Sequence, residues 1–458
     1  MAKHDAIIVG TGQVGPSLAG RLVAASMNVA IVERKLFGGT CVNTGCIPTK
    51  TLVASAYAAH LARRAAEYGV TIGGAVGVDM KAIKARKDAI SGASKRGVES
   101  YLKSLEGCTV YKDHARFISA KELLVGDQVL SADRVFINVG GRALVPEIPG
   151  LNQINYLTNS SIMEVDFLPR HLIVIGGSYI GLEFAQIYRR FGSEVTVIEL
   201  APRLIACEDE DVSEAVITIL KREGIDVCVH TKCLSVTSHG SDVAVTLACP
   251  ERSSTVIGSH LLLAVGQRPN TDDLGLENVG IAVDSRGYIK VDDYLRTNVP
   301  GIWALGDCNG RGAFTHTSYN DFEIVAANLL GNDERRVTDR ITAYNLYIDP
   351  PLGRAGLAET EVRASGRPAL IAKLPMEKVG RAFEKGETQG FMKILVDRET
   401  KLILGASILG VGGDEVIHTI LDLMYAKAPF TVLQRAMHIH PTVSELLLTM
   451  MNDLKFLQ

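Results

Sequence analysis

Residues 5–15 read DAIIVGTGQVG, and PSLAGRLVAAS continues the run to residue 26. Four apolar residues before a glycine describe a short buried strand, and the second stretch has helical spacing. Gly10, Gly12 and Gly15 stand in the G-x-G-x-x-G pattern between them. A second strand, NVAIVE, ends at Glu33, eighteen positions beyond Gly15. Strand, glycine turn, helix, strand and acid together predict a dinucleotide site. The glycines allow a tight turn and close approach to a pyrophosphate, the helix N-terminus holds its charge, and the acid accepts from the ribose. The bland reading is a tight glycine turn in an α/β fold with no ligand.

The pattern recurs. Residues 171–181 read HLIVIGGSYIG, LEFAQIYRRFG is a helix, and SEVTVIE ends at Glu199. Gly176, Gly177 and Gly181 carry this turn, with Ser178 where the first has Gly12, a change expected to crowd the backbone slightly. Two such halves predict two dinucleotides, one held and one exchanging. Glu199 favours a ribose with a free 2′-hydroxyl, hence NADH over NADPH; Arg203, four residues on, weakens that preference.

Just after Glu33, residues 38–50 read GGTCVNTGCIPTK, ahead of the helical run LVASAYAAHLARRAAEYG. Cys41 and Cys46 are five positions apart at a helix entrance. On an ideal helix that spacing is about 7.5 Å along the axis, whereas a disulfide needs Cα atoms roughly 4.4 to 6.8 Å apart. A bridge therefore requires a distorted helix start, which Gly45 and Pro48 permit. The helix N-terminus and Lys50, one turn on, both favour a thiolate at Cys46. Spacing alone leaves equal room for two buried cysteines that never bridge.

Composition sets the outer limits. At 458 residues the chain is too long for one core and suggests about three domains. A net charge of −3 gives no electrostatic case for nucleic acid or an anionic membrane. No apolar run has the length of a membrane span, and MAKHDAIIVG leaves no room for a signal peptide. The other cysteines, Cys108, Cys207, Cys228, Cys233, Cys249 and Cys308, are scattered, which suits a reducing cytoplasm. Cys228 and Cys233 repeat the spacing inside the strand-like VCVHTKCLSV and read as structural. Residues 79–106 read as a helix with a solvated Lys/Arg-rich face.

Further on, Gly266 lies in AVGQRPN. Asp307 is the penultimate residue of GIWALGDC, at the end of a buried strand, either capping the next helix or accepting from a cofactor's sugar chain. From about residue 338 the runs TAYNLYIDPP, PALIAKLPM, GFMKILVD and KLILGASILG read as strands followed by two helices, an α+β unit. In MHIHPTVSE, His440 precedes Pro441 and Glu445 lies five residues on. A His–carboxylate pair suits acid–base work; by itself the segment more readily describes a surface histidine in a loop.

Taken together, GTGQVG, GGTCVNTGCIPTK, GGSYIGLEF, AVGQRPN, GIWALGDC and HPTVSE, in this order from Asp5 to about Leu448, resemble the flavin-dependent pyridine nucleotide–disulfide oxidoreductases. Lipoamide dehydrogenase, glutathione reductase and mercuric reductase are in that group. The resemblance implies two Rossmann-like dinucleotide-binding domains and a C-terminal α+β dimerisation domain. FAD would take residues 1–150 and 266–337, NAD(P)H residues 151–265, and dimerisation residues 338–458. It implies that Cys46 faces the flavin as its charge-transfer thiolate and that Cys41 attacks the substrate. Lys50 would pair with Glu183 beside the flavin, Tyr179 would cover the flavin until nicotinamide displaces it, and Asp307 would bind the ribityl chain. His440, oriented by Glu445, would serve Cys41 of the other subunit in a homodimer with shared sites.

The implied reaction carries electrons from NAD(P)H through FAD and the thiol pair to a small disulfide, with no resident metal. Mercuric reductases proper carry a C-terminal cysteine pair and lack the His–Glu pair; this chain ends KFLQ and has His440 and Glu445. GCIPTKTLVASA nonetheless has the style of the mercuric-reductase-like branch. Reduction of a soft cation such as Hg(II) or Cu(II) is therefore the first rival reading. A lipoamide dehydrogenase subunit docked in a larger complex, and a slow redox sensor, are the others.

Overall fold

A computed structural model of the chain describes residues 1–248, 253–331 and 333–457; Cys249 lies outside them. Two halves share one architecture. In the first, a five-stranded parallel sheet runs in the order Ile302–Ala304, Arg134–Ile137, Ala6–Val9, Val29–Val32, Cys108–Tyr111. Successive residues of a strand face opposite sides, and here both sides are covered. Ala6, Ile8 and Ile31 pack against helices Val14–Ala24 and Thr315–Leu330. Ile7, Val9 and Ala30 pack against antiparallel strands between residues 115 and 131. Double coverage explains why these strands read as unbroken apolar runs.

The second half repeats the plan with strands Asp226–Cys228, Glu194–Ile198, His171–Ile175 and His260–Leu263, all parallel. Helices Tyr179–Phe191 and Glu210–Arg222 cover one face. An antiparallel meander, Lys232–His239, Asp242–Ala248 and Ser253–Gly258, covers the other. The third unit is an antiparallel six-stranded sheet carrying helices Gly413–Tyr425, Phe430–Arg435 and Leu446–Met451. The chain is α/β, with two parallel-sheet halves built on one plan and a C-terminal α+β unit.

Four expectations need correction. Cys41 and Cys46 do not share one distorted helix start. Cys41 lies in the short helix Gly39–Asn43 and Cys46 opens the helix Cys46–Arg63, with Gly45 (φ −129°, ψ −117°) breaking the two apart. VCVHTKCLSV is not one strand. The chain turns at His230 (φ 52°), so Cys228 ends a strand of the parallel sheet and Cys233 begins the meander. The Lys/Arg-rich face of the helix Met80–Ser104 is solvated except at Lys87, which is buried and donates to the Met163 carbonyl at 2.7 Å. In the third unit, TAYNLYIDPP supplies only Ala343–Leu346, and strands Leu352–Gly356 and Lys455–Phe456 were not anticipated.

Candidate active site

Each glycine turn is closed by the acid predicted to follow it. Glu33 accepts from the Thr11 N–H (3.0 Å) and hydroxyl (2.6 Å) with one oxygen and from the Lys35 N–H (2.8 Å) with the other. Glu199 does the same, accepting from the N–H of Gly177 (2.6 Å) and of Ala201 (2.7 Å). A carboxylate held by backbone donors keeps its charge and its direction; Oε1 of Glu33 and both oxygens of Glu199 retain a lone pair for a further donor. A Cβ on Gly15 would lie 2.4 Å from the Gly10 carbonyl oxygen, and one on Gly181 would lie 2.0 Å from that of Gly176. Both glycines let the helix approach the strand. A Cβ on Gly12 would meet only the Asn138 amide, at 3.4 Å.

From the first glycine turn a cavity of about 1730 Å³ runs past Cys41, Cys46, Lys50, Tyr179, Glu183, Gly266 and Asp307. It joins the first turn, the thiols and the start of the helix Tyr179–Phe191. Gly10, Gly12 and Glu33 line it; Gly15, Gly176, Gly177, Gly181 and Glu199 lie outside it.

Cys41 and Cys46 are unbridged thiols in this structure. Cys46 falls from the usual 9.0 to about 6, chiefly through the hydrogen bond from the Cys41 thiol. The Thr315 hydroxyl, 2.9 Å from its sulfur, and the Lys50 ammonium add to this against half-burial. The same hydrogen bond, with burial and the Cys46 charge, pushes Cys41 strongly up. The shared hydrogen bond thus favours the charge on Cys46 and the proton on Cys41. Thr315, at the start of its own helix, was missed in the sequence because it lies 269 residues from Cys46.

Lys50 forms an ion pair with the buried Glu183, whose other oxygen accepts from the Tyr347 N–H at 3.0 Å. The Tyr347 ring lies 4.3 Å from the Lys50 nitrogen, a cation–π contact absent from the sequence reading. Asp307 follows strand Ile302–Ala304. Burial raises its carboxyl, and Gln267 (3.3 Å) and Ser318 (3.5 Å) donate to it. Gly266 turns at φ +116° in the cavity wall. The Tyr179 hydroxyl lies 3.1 Å from the Cys207 sulfur.

His440 stands apart from this cavity. Its Nδ1 is 3.0 Å from Glu445, and its side chain is 82% exposed beside Met437 and Ile439, both almost fully exposed. One chain alone does not bring it to the thiols.

Residues 4–321 match the family described as pyridine nucleotide-disulphide oxidoreductase, and residues 342–451 match that family's dimerisation domain. The chain belongs to this family. The oxidoreductase is 34% identical to the probable pyridine nucleotide-disulfide oxidoreductase RclA of Escherichia coli K12, with 99% of each chain covered. It is 33% identical to a mercuric reductase of Streptomyces lividans, over 97% of this chain and 94% of that protein. A solved Cu(II) complex of HOCl-induced flavoprotein disulfide reductase RclA from Escherichia coli superposes with a TM-score of 0.90 at 33% identity, covering 99% of both chains.

The family is FAD-dependent and uses pyridine nucleotides. The residues present fit the flavin. Gly10, at φ +107°, leaves no room for a Cβ against the Asn138 carbonyl. Glu33 retains acceptor capacity, the buried Asp307 carboxyl faces the cavity, and the volume exceeds an ordinary small-molecule pocket. The oxidoreductase is an enzyme acting on sulfur groups.

Proposed function

We propose that the enzyme takes two electrons from NADH, holds them as the Cys41–Cys46 dithiol and delivers them to a small external disulfide. FAD, bound along Gly10, Glu33 and Asp307, would supply the two-electron relay between nicotinamide and thiols. The observation that carries this reading is the asymmetry of the pair, with Cys46 lowered to about 6 and Cys41 raised.

That asymmetry assigns the steps. Cys41 is the thiol that must lose a proton before it can attack, and a base is needed to take it. His440, held by Glu445, suits that role, and its exposure beside Met437 and Ile439 supports delivery by a second copy of the chain. The Cys41 thiolate attacks one sulfur of the substrate, its S–S bond breaks, and the departing thiolate takes the proton from His440. The Cys46 thiolate then attacks the Cys41 sulfur, releasing the second substrate thiolate and restoring the bridge. Lys50, oriented by its ion pair with Glu183, presents its ammonium to the thiolate.

Glu199 supports NADH, because its anchored carboxylate opposes a 2′-phosphate while Arg203 is turned to the Ala206 carbonyl at 3.4 Å. Among the described residues no disulfide staples the fold, which supports a reducing compartment such as the cytoplasm. A second reading is reduction of a soft cation such as Hg(II) or Cu(II) by the same dithiol, favoured by two unbridged thiols opening on one cavity. The His440–Glu445 pair favours the disulfide.

The test is NADH and NADPH oxidation by the flavin-loaded protein against lipoamide, glutathione disulfide, other small disulfides, Hg(II) and Cu(II). Fast turnover of one disulfide is the expected result. Turnover of a cation alone would replace it with the second reading.

A further inference from the structure

Tyr179 does not stand in open space. Phe314 lies between His316 and Tyr344 in a stack of nearly parallel rings, with centroids 5.4 and 5.5 Å apart and planes within 14° and 10°. Tyr179 meets two of the three edge-on, 5.6 Å from Phe314 and 5.4 Å from Tyr344, at 83° and 77°. Edge-to-face contact is a favoured arrangement for aromatic rings.

The stack is anchored at both ends. His316 Nε2 lies 2.6 Å from the Ala343 carbonyl. The Tyr344 hydroxyl donates to Glu208 at 2.6 Å. Glu208 is almost wholly buried, and its second oxygen has no hydrogen-bond partner among the described residues. That oxygen lies 3.6 Å from the guanidinium of the buried Arg354. Arg354 belongs to the C-terminal sheet and Glu208 to the nucleotide half. A buried carboxylate opposite a buried guanidinium is costly to displace, so Tyr344 is tied to a rigid point between the two units.

We propose that Tyr344 is a positioning residue for Tyr179: the Glu208-anchored stack holds Tyr179 in its covering position and thereby sets the apparent affinity for the nicotinamide nucleotide. This rests on the reading that Tyr179 must move aside for nicotinamide. A nucleotide that binds only the open form has its affinity reduced by the fraction of protein that is open. Weakening the stack therefore tightens nucleotide binding. Loss of one edge-to-face contact corresponds to roughly three- to tenfold.

The experiment titrates oxidised, flavin-loaded wild type, Tyr344→Ala, Tyr344→Phe and Tyr179→Ala with NAD+ and with NADP+ by calorimetry. The change in the alkylation rate of Cys207 by iodoacetamide when nucleotide is added, compared within each variant and read by peptide mass, is a second measurement; Cys207 is exposed, with its sulfur 3.1 Å from the Tyr179 hydroxyl and 3.9 Å from that of Tyr344. Tyr344→Ala should bind the preferred nucleotide roughly three- to tenfold more tightly. Tyr344→Phe, which keeps the ring and loses the hydroxyl's contacts with Glu208 and Cys207, should fall between it and wild type in nucleotide affinity. NAD+ should speed Cys207 alkylation in wild type and do little in Tyr344→Ala. If Tyr179→Ala tightens binding and both Tyr344 variants match wild type, the positioning role is overturned and the moving Tyr179 stands. If Tyr179→Ala itself leaves affinity and the nucleotide-dependent change at Cys207 as in wild type, the underlying reading fails.

Discussion

Thr315→Val removes one hydroxyl from beside the Cys46 sulfur and changes little else in shape. The fall of Cys46 from 9.0 to about 6 corresponds to about 4 kcal/mol of preference for the thiolate. The Cys41 hydrogen bond, the Thr315 hydroxyl and Lys50 share that preference against the cost of burial. One hydrogen bond to a charged group is worth about 1.5–3 kcal/mol, which at 1.36 kcal/mol per pH unit is one to two units. Cys46 in Thr315→Val should therefore titrate at about 7 to 8. The sign follows directly: lowering the pH through about 6 protonates the wild-type thiolate, and the variant loses its thiolate already near neutrality. The assay is the pH profile of iodoacetamide alkylation at Cys46 in the pre-reduced enzyme, read peptide by peptide. The pH dependence of the long-wavelength thiolate–flavin absorbance is an independent readout, and Cys46→Ser should abolish that band. A midpoint within 0.3 units of wild type would refute the hydroxyl's role, on a scale where one such bond is worth about one to two units. Faster alkylation at Cys41 than at Cys46 would refute the assignment of the two thiols.

His440→Ala should slow disulfide turnover by about a hundredfold while leaving reduction by NADH intact; stopped-flow and steady-state rates separate the two. Glu199→Ala should weaken NADH binding more than NADPH binding, and an equal loss in both titrations would defeat the ribose argument. Gly181→Ala places a methyl 2.0 Å from the Gly176 carbonyl, so nucleotide affinity and the denaturation midpoint should both fall; unchanged values would mean the turn is not needed as built.

The two halves were legible because their signal is local. Each glycine turn, its helix and its acid lie within about thirty residues, and the acid's partners, Thr11 and Gly177, sit inside the motif. The helix break at Gly45 was half legible: the need for distortion followed from spacing, but its form, two separate helices, is set by backbone angles. Thr315, Tyr344 and Tyr347 were not legible at all. Each reaches its partner through the meeting of distant segments, and nothing around Tyr344 in TAYNLYIDPP marks it as other than a strand residue. Glu183 had no local signal either; it came from family likeness, and the structure shows its ion pair with Lys50.

The first sheet also bears on how the chain comes together during synthesis. Its edge strand Ile302–Ala304 follows the entire second half, so Arg134–Ile137 keeps an unpaired edge until more than 300 residues have been made. An open apolar edge is a template for pairing with other chains. The second half, with all four strands of its parallel sheet between residues 171 and 263, has no such dependence. It can fold as an insertion while its host waits. A nascent chain that has released the second half but not yet Ile302–Ala304 would therefore expose one finished lobe and one sticky, incomplete one, and it is there that chaperone capture should concentrate.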